Sequence, residues 1–91
     1  MALYTFVLEY AGGTYIKQAR ATSIIAASKK YYAQLDTDDG IPLHLEIVSK
    51  LRDEDAAGTK PVALNGLTGV WCTSLTLRRK YLLLNIVACN K

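Results

Sequence analysis

Four groups of residues in this chain carry chemistry beyond packing: the thiols of Cys72 and Cys89, the imidazole of His44, the carboxylates of Asp36, Asp38 and Asp39, and the cations of Arg78, Arg79 and Lys80. A nucleophilic cysteine needs a base and an accessible, electropositive setting. Cys72 and Cys89 lie instead among Val70, Leu83 and Val87 in strand-like runs, and they read as free thiols used for packing. His44 has no cysteine or carboxylate at a spacing that makes a zinc site, so it reads as a partly buried, hydrogen-bonded side chain near the middle of a helical apolar stripe. The run Asp36-Thr37-Asp38-Asp39-Gly40 invites a calcium reading. An EF-hand loop counted from Asp36 needs glycine and glutamate where this chain has Ile41 and Ile47, so the run reads as a solvated turn. No GxSxG, Walker-type, GxGxxG or HExxH pattern occurs. The expectation is therefore no catalytic, cofactor-binding or metal site, and a chain that is not an enzyme.

The cationic triplet is the remaining candidate. Arg78-Arg79-Lys80 falls between two strand-like runs, which places three cations at a hairpin tip. Such a tip can contact an anion or a nucleic-acid backbone, with Lys17, Arg20 and Tyr81 as further contributors, and it equally keeps an exposed turn soluble. The formal net charge of +3 is modest and the other basic residues are scattered, so composition alone forces no nucleic-acid footprint. Tyrosines could stack on bases, but the periodicity turns Tyr4, Tyr10, Tyr15 and Tyr31 toward a core, leaving Tyr81 and Tyr32.

The elements that would position these groups begin with the stretch from Tyr4 to Ala21. Two runs rich in aromatic and β-branched residues flank Gly12-Gly13, the signature of a hairpin. With that pair as the two turn residues, Tyr10 faces Tyr15, Leu8 faces Lys17, Phe6 faces Ala19 and Tyr4 faces Ala21. One face is then aromatic, and the small alanines leave room for a helix across it. Thr22 or Ser23 can cap a helix to about Leu35 with Ile24, Ile25, Ala27, Tyr31, Tyr32 and Leu35 inward. Pro42 suits the first turn of a second helix carrying the stripe Leu43, Ile47, Val48 and Leu51, with Asp55 to Pro61 as loop. Val62 to Gly69 is open between a short edge strand and a bulged loop. Val70 to Leu77 and Tyr81 to Cys89 form a second hairpin, and pairing Leu77 with Leu82 puts Trp71, Leu75, Leu77, Leu82, Leu84 and Ile86 on the core face.

The order is ββααββ, an α+β fold in which an antiparallel sheet built from two hairpins carries both helices on one side. Strand order is not determined by the sequence. The 91 residues make one domain, 1–91, of a size that buries roughly 60–65% of its unfolded surface. About half the residues are apolar and about a fifth charged, as expected of a globular chain. Two cysteines do not make a disulfide framework, and neither a signal peptide nor a run of ~20 apolar residues is evident, so a cytoplasmic protein with no membrane association is expected.

The motifs YTFVLEYAGGTYIKQ, GVWCTSL and LLLNIVA resemble those of a group of small, uncharacterised bacterial proteins, and the resemblance covers most of the chain. It implies a small cytoplasmic domain and carries over no functional residue. A looser hairpin-then-helix likeness to HicB-type domains stops after the first helix. The leading expectation comes from unmatched surface: both helices are needed over one sheet face, which leaves Val7, Ile16, Val70, Cys72, Leu83 and Val87, with Leu3 and Cys89, on the other. That predicts a protein-interaction module, self-associating as a homodimer through the apolar face or binding a different protein there. The alternative is a nucleic-acid or anion-binding module using Arg78, Arg79 and Lys80.

Overall fold

In the computed structural model, which describes residues 1–56, 62–63 and 68–89, the chain runs β1 (Ala2–Tyr10), β2 (Gly13–Ala21), α1 (Ile24–Asp36), α2 (His44–Ala56), β3 (Val62–Ala63), β4 (Val70–Leu77) and β5 (Lys80–Cys89). The strands form one antiparallel sheet in the order β2-β1-β5-β4-β3. The α+β architecture is the expected one, with the short edge strand β3 added. Pairing of β1 with β5 joins the two hairpins into a single sheet, with β5 as its middle strand.

In both hairpins the turn is centred one residue earlier than the sequence suggests, so cross-strand partners shift by two. In the first, Ala11 and Gly12 occupy the turn with φ of 52° and 83°, the mirror-image turn that matches strand twist. Tyr10 therefore pairs with Gly13, Leu8 with Tyr15, Phe6 with Lys17 and Tyr4 with Ala19. Gly13 belongs to the strand, and the Tyr15 ring folds back over it, so a Cβ there would lie 2.7 Å from Cζ of Tyr15 and the ring would have to swing aside. In the second hairpin Arg78 and Arg79 hold φ of 51° and 65°, so Leu77 pairs with Lys80 rather than Leu82, and Cys72 with Asn85 rather than Val87. A shift of two residues preserves side-chain parity, so every face assignment survives it.

Ser23 caps α1, its Oγ accepting from the Ala26 amide at 3.1 Å. Ala27, Tyr31, Tyr32 and Leu35 are buried as expected, but Ile25 is 50% exposed and Ser28 takes the inward place instead. The second helix starts at His44, not at Pro42. Ile41 is buried, the His44 amide donates back to its carbonyl at 3.2 Å, and Leu43 takes φ of 57° with its carbonyl accepting from Ile47 at 2.9 Å. Leu43 thus stands in the cap position, and His44 opens the helix, half-buried, instead of lying mid-stripe. Asp55 and Ala56 belong to the helix, and the rest of the expected loop, 57–61, lies outside the described residues.

The core is one layer between helices and sheet. Tyr4, Phe6, Leu8 and Tyr10 of β1 and Leu82, Leu84 and Ile86 of β5 meet Tyr31 and Leu35 of α1 and Ile47, Val48 and Leu51 of α2. Trp71 and Leu75 pack against it half-buried. Across the core, Tyr10 donates its hydroxyl to the Leu77 carbonyl at 2.7 Å, tying the end of β1 to the end of β4 over the intervening β5. With both helices on this side, the opposite face of the sheet has no covering layer among the described residues.

Candidate functional site

Strand pairing lays out the uncovered face as a grid. One row crosses all five strands: Ile16 on β2, Val7 on β1, Asn85 on β5, Cys72 on β4 and Val62 on β3. The row on one side is Gln18, Thr5, Val87 and Val70. On the other side lie Thr14, Glu9, Leu83 and Ser74. Arg20, Leu3 and Cys89 make a fourth row at one end, and Tyr81 pairs with Thr76 at the other. Ile16, Val62, Val87 and Tyr81 are 64%, 67%, 43% and 65% exposed, while Leu3, Val7, Val70, Cys72 and Leu83 are half-buried by their own neighbours.

The six residues expected on this face, Val7, Ile16, Val70, Cys72, Leu83 and Val87, are therefore brought together. Val62 joins them, which the sequence left open because its strand is only two residues long. Asn85 falls at the centre of the grid, a place visible only once β1 is known to pair with β5. Polar positions are interspersed with the apolar ones: Thr5, Glu9 and Ser74 lie diagonally from Asn85, a Gln18 to Thr5 side-chain hydrogen bond of 3.1 Å occupies the β2 side, and Glu9 and Arg20 are the charges.

The two edges of the sheet differ. Carbonyls of Gln18 and Arg20, two residues apart and hence on one side of β2, accept from α1: Gln34 Nε2 reaches the first at 3.5 Å and Lys30 Nζ binds the second. At the other edge β3 pairs only with Trp71 and Cys72, so the stretch of β4 from Thr73 to Leu77 has no strand on its outer side among the described residues.

The basic tip is split by its own geometry. Arg78 turns back to α2 and forms a two-pronged ion pair with Glu46, Nε to Oε2 at 2.9 Å with Nη2 on Oε1. The Arg78 hydrogen bond holds the Glu46 carboxyl below its usual range. Arg79 is exposed in the turn and Lys80 begins β5, also exposed. Lys17 is paired with Asp38 at 2.9 Å, and Arg20 lies at a distant corner of the open face, so these cations do not converge on one site. No spacing in the sequence signals the Glu46–Arg78 pair, since the two are brought together by tertiary folding.

The acidic turn is held by ion pairs. Asp36 receives Arg52 at 3.0 and 2.7 Å, Asp38 receives Lys17 and accepts the Gly40 amide at 3.2 Å, and these hydrogen bonds hold both carboxyls below the usual range. Among the described residues no three His, Cys, Asp or Glu side chains group as metal ligands. A shallow, open groove of mixed polarity runs beside α2, lined by Leu45, Glu46, Ser49, Lys50, Asp53 and Leu77. No helix among the described residues is long and apolar enough to cross a membrane.

No protein-family model, curated protein or solved structure matches this chain.

Proposed function

We propose that the chain is a non-enzymatic interaction module that self-associates face to face through the open side of its sheet. The observation that carries this reading is the row Ile16, Val7, Asn85, Cys72 and Val62, flanked by Val70, Val87 and Leu83, on a face with no layer over it among the described residues. Antiparallel sheets with a wet side normally alternate polar residues outward, and an apolar patch of this extent marks an interaction surface.

Area supports a second copy as the occupant. Strands spaced ~4.8 Å apart and about eight residues long at ~3.4 Å per residue give a face of roughly 600 Å² in projection for this sheet. Standard interfaces bury about 800 Å² per partner, and side-chain relief lifts accessible area above projection, so this face is of the right size for a reversible dimer. A self-complementary patch closes on itself and does not grow into an open-ended array.

Small-angle scattering across a concentration series tests the arrangement. Face-to-face stacking adds a second sheet ~10 Å away and gives a thick, compact particle, whereas edge pairing gives an elongated one. An elongated dimer would rule out the proposed face. Nucleic-acid binding is the weaker reading because Arg78 is neutralised by Glu46 and the other cations are dispersed. Salt-sensitive submicromolar binding of an oligonucleotide would put it first.

A further inference from the structure

Asn85 is the one amide set among apolar neighbours at the middle of the open face. It lies on the central strand, with Leu83 and Val87 two residues away along β5 and Val7 and Cys72 directly beside it on β1 and β4. Any partner covering these four side chains also strips water from the Asn85 amide, and an amide so buried must find a hydrogen-bond partner on the incoming surface. A carboxamide donates and accepts at once, so a second carboxamide can satisfy both of its functions.

Resting on the face-to-face association proposed above, we infer that Asn85 lies on the dimer two-fold axis, pairs with the partner's Asn85, and fixes the register in which the faces meet. The dimensions agree. Packed sheets are ~10 Å apart, and two side-chain amides each reaching ~3 Å from Cα, joined by an N–H···O contact of ~2.9 Å, span that gap. A two-fold axis lying in the interface through the centre of the grid brings Asn85 onto itself whether the axis runs along the strands or across them. In both cases Leu83 and Val87 surround the amide pair. The remaining apolar contacts permit sliding by four residues along the strands, because apolar positions recur at that spacing in Leu3 and Val7 of β1 and in Leu83 and Val87 of β5, and the central amide penalises each slipped register by leaving two amides unpaired. A single polar residue at an apolar seam sets register in coiled coils by the same logic.

The test uses the full chain with Asn85→Asp and Asn85→Lys, each checked for folding by circular dichroism. At neutral pH each variant alone places like charges together and should associate at least about tenfold more weakly than the intact protein. An equimolar mixture should restore association, with the heterodimer at least about tenfold tighter than either homodimer, because only there do opposite charges meet. Independently, a mixture of isotope-labelled and unlabelled intact protomers should show a contact between the two Asn85 side chains. A mixture no tighter than its components, or an interprotomer contact map lacking Asn85 to Asn85, in a protein that still dimerises, overturns the assignment of Asn85 and leaves face-to-face association standing. An intact chain that stays monomeric overturns both.

Discussion

The rings of Phe6 and Tyr31 stack with centroids 4.3 Å apart and planes 7° from parallel, joining the middle of β1 to the middle of α1 at the centre of the core. Both residues are essentially inaccessible to solvent. Removing the Phe6 ring leaves Tyr31 facing a void, and Phe6→Ala should cost roughly 3–5 kcal/mol, the usual range for a buried aromatic. Trp71→Ala should cost less, since Trp71 is half-buried, and Lys29→Ala should stay within about 0.5 kcal/mol. Chemical denaturation at neutral pH ranks the three, and equal costs for Phe6 and Lys29 would contradict the core described.

Tyr31 contributes its ring and not its hydroxyl, which is buried and has no hydrogen-bond partner among the described residues. Tyr31→Phe keeps the stack and removes that cost, so stability at neutral pH should be unchanged or higher by up to about 1 kcal/mol. Burial, with Asp38 nearby, raises the phenol's titration well above the ordinary tyrosine range. A raised value in the folded state means that full stability holds below the unfolded value of ~10 and is lost as pH rises beyond it. Denaturation at neutral and alkaline pH should show a smaller alkaline loss for Tyr31→Phe than for the intact protein, and equal losses would remove Tyr31 as a source.

On the acid side the sign reverses. Asp36, Asp38 and Glu46 are held below their ordinary values by Arg52, Lys17 and Arg78, so their contribution is present above the unfolded carboxylate values of ~4 and lost as pH falls through the folded ones. All three pairs are at the surface, and each contribution is small and screened by salt. Glu46→Gln should lower the melting temperature slightly at neutral pH and converge with the intact protein in acid. A constant difference across the titration would show that Glu46 acts by something other than its charge.

Parity is what made the faces legible in the sequence. Alternation in YTFVLEY, VWCTSLTL and YLLLNIVAC sorts side chains correctly even though both turns are centred one residue from their expected places and the cross-strand partners shift by two. The turns themselves were ambiguous for physical reasons. Gly12-Gly13 offers two positions for a tight turn and no neighbouring residue type chooses between them, while Arg78-Arg79 adopts left-handed backbone with no glycine to announce it. Strand order rests on the pairing of β1 with β5 at opposite ends of the chain, which no local pattern encodes. The members of the candidate surface were readable, but its centre at Asn85 was not, because a centre exists only after the order is known.

Cys72 pairs with Asn85 and Cys89 with Leu3, four residues apart along the β5 frame, or about 13 Å at ~3.3 Å per residue. Bridged cysteines need Cα atoms within about 7 Å, so both thiols should titrate as free in denaturant, in line with their unpaired state here. In the native protein Cys89, exposed at the end of its strand, should react first, and Cys72 should react more slowly as protein concentration rises and the face is covered. A Cys72 rate independent of concentration would place it outside the interface.

The central claim is that the open sheet face joins two copies of the chain, and the most direct measurement is the molar mass in solution of the intact protein and of Leu83→Asp, by light scattering from low to tens of micromolar. Leu83 lies on the middle strand beside Asn85, half-buried on the open face, so a carboxylate there is tolerated by the monomer and must be desolvated in the dimer. The intact chain should move from 10.0 kDa toward twice that mass with rising concentration, while Leu83→Asp stays at the monomer mass with an unchanged circular dichroism spectrum. An intact chain that remains a compact monomer at tens of micromolar, or a Leu83→Asp variant that dimerises as readily as the intact protein, would contradict the account.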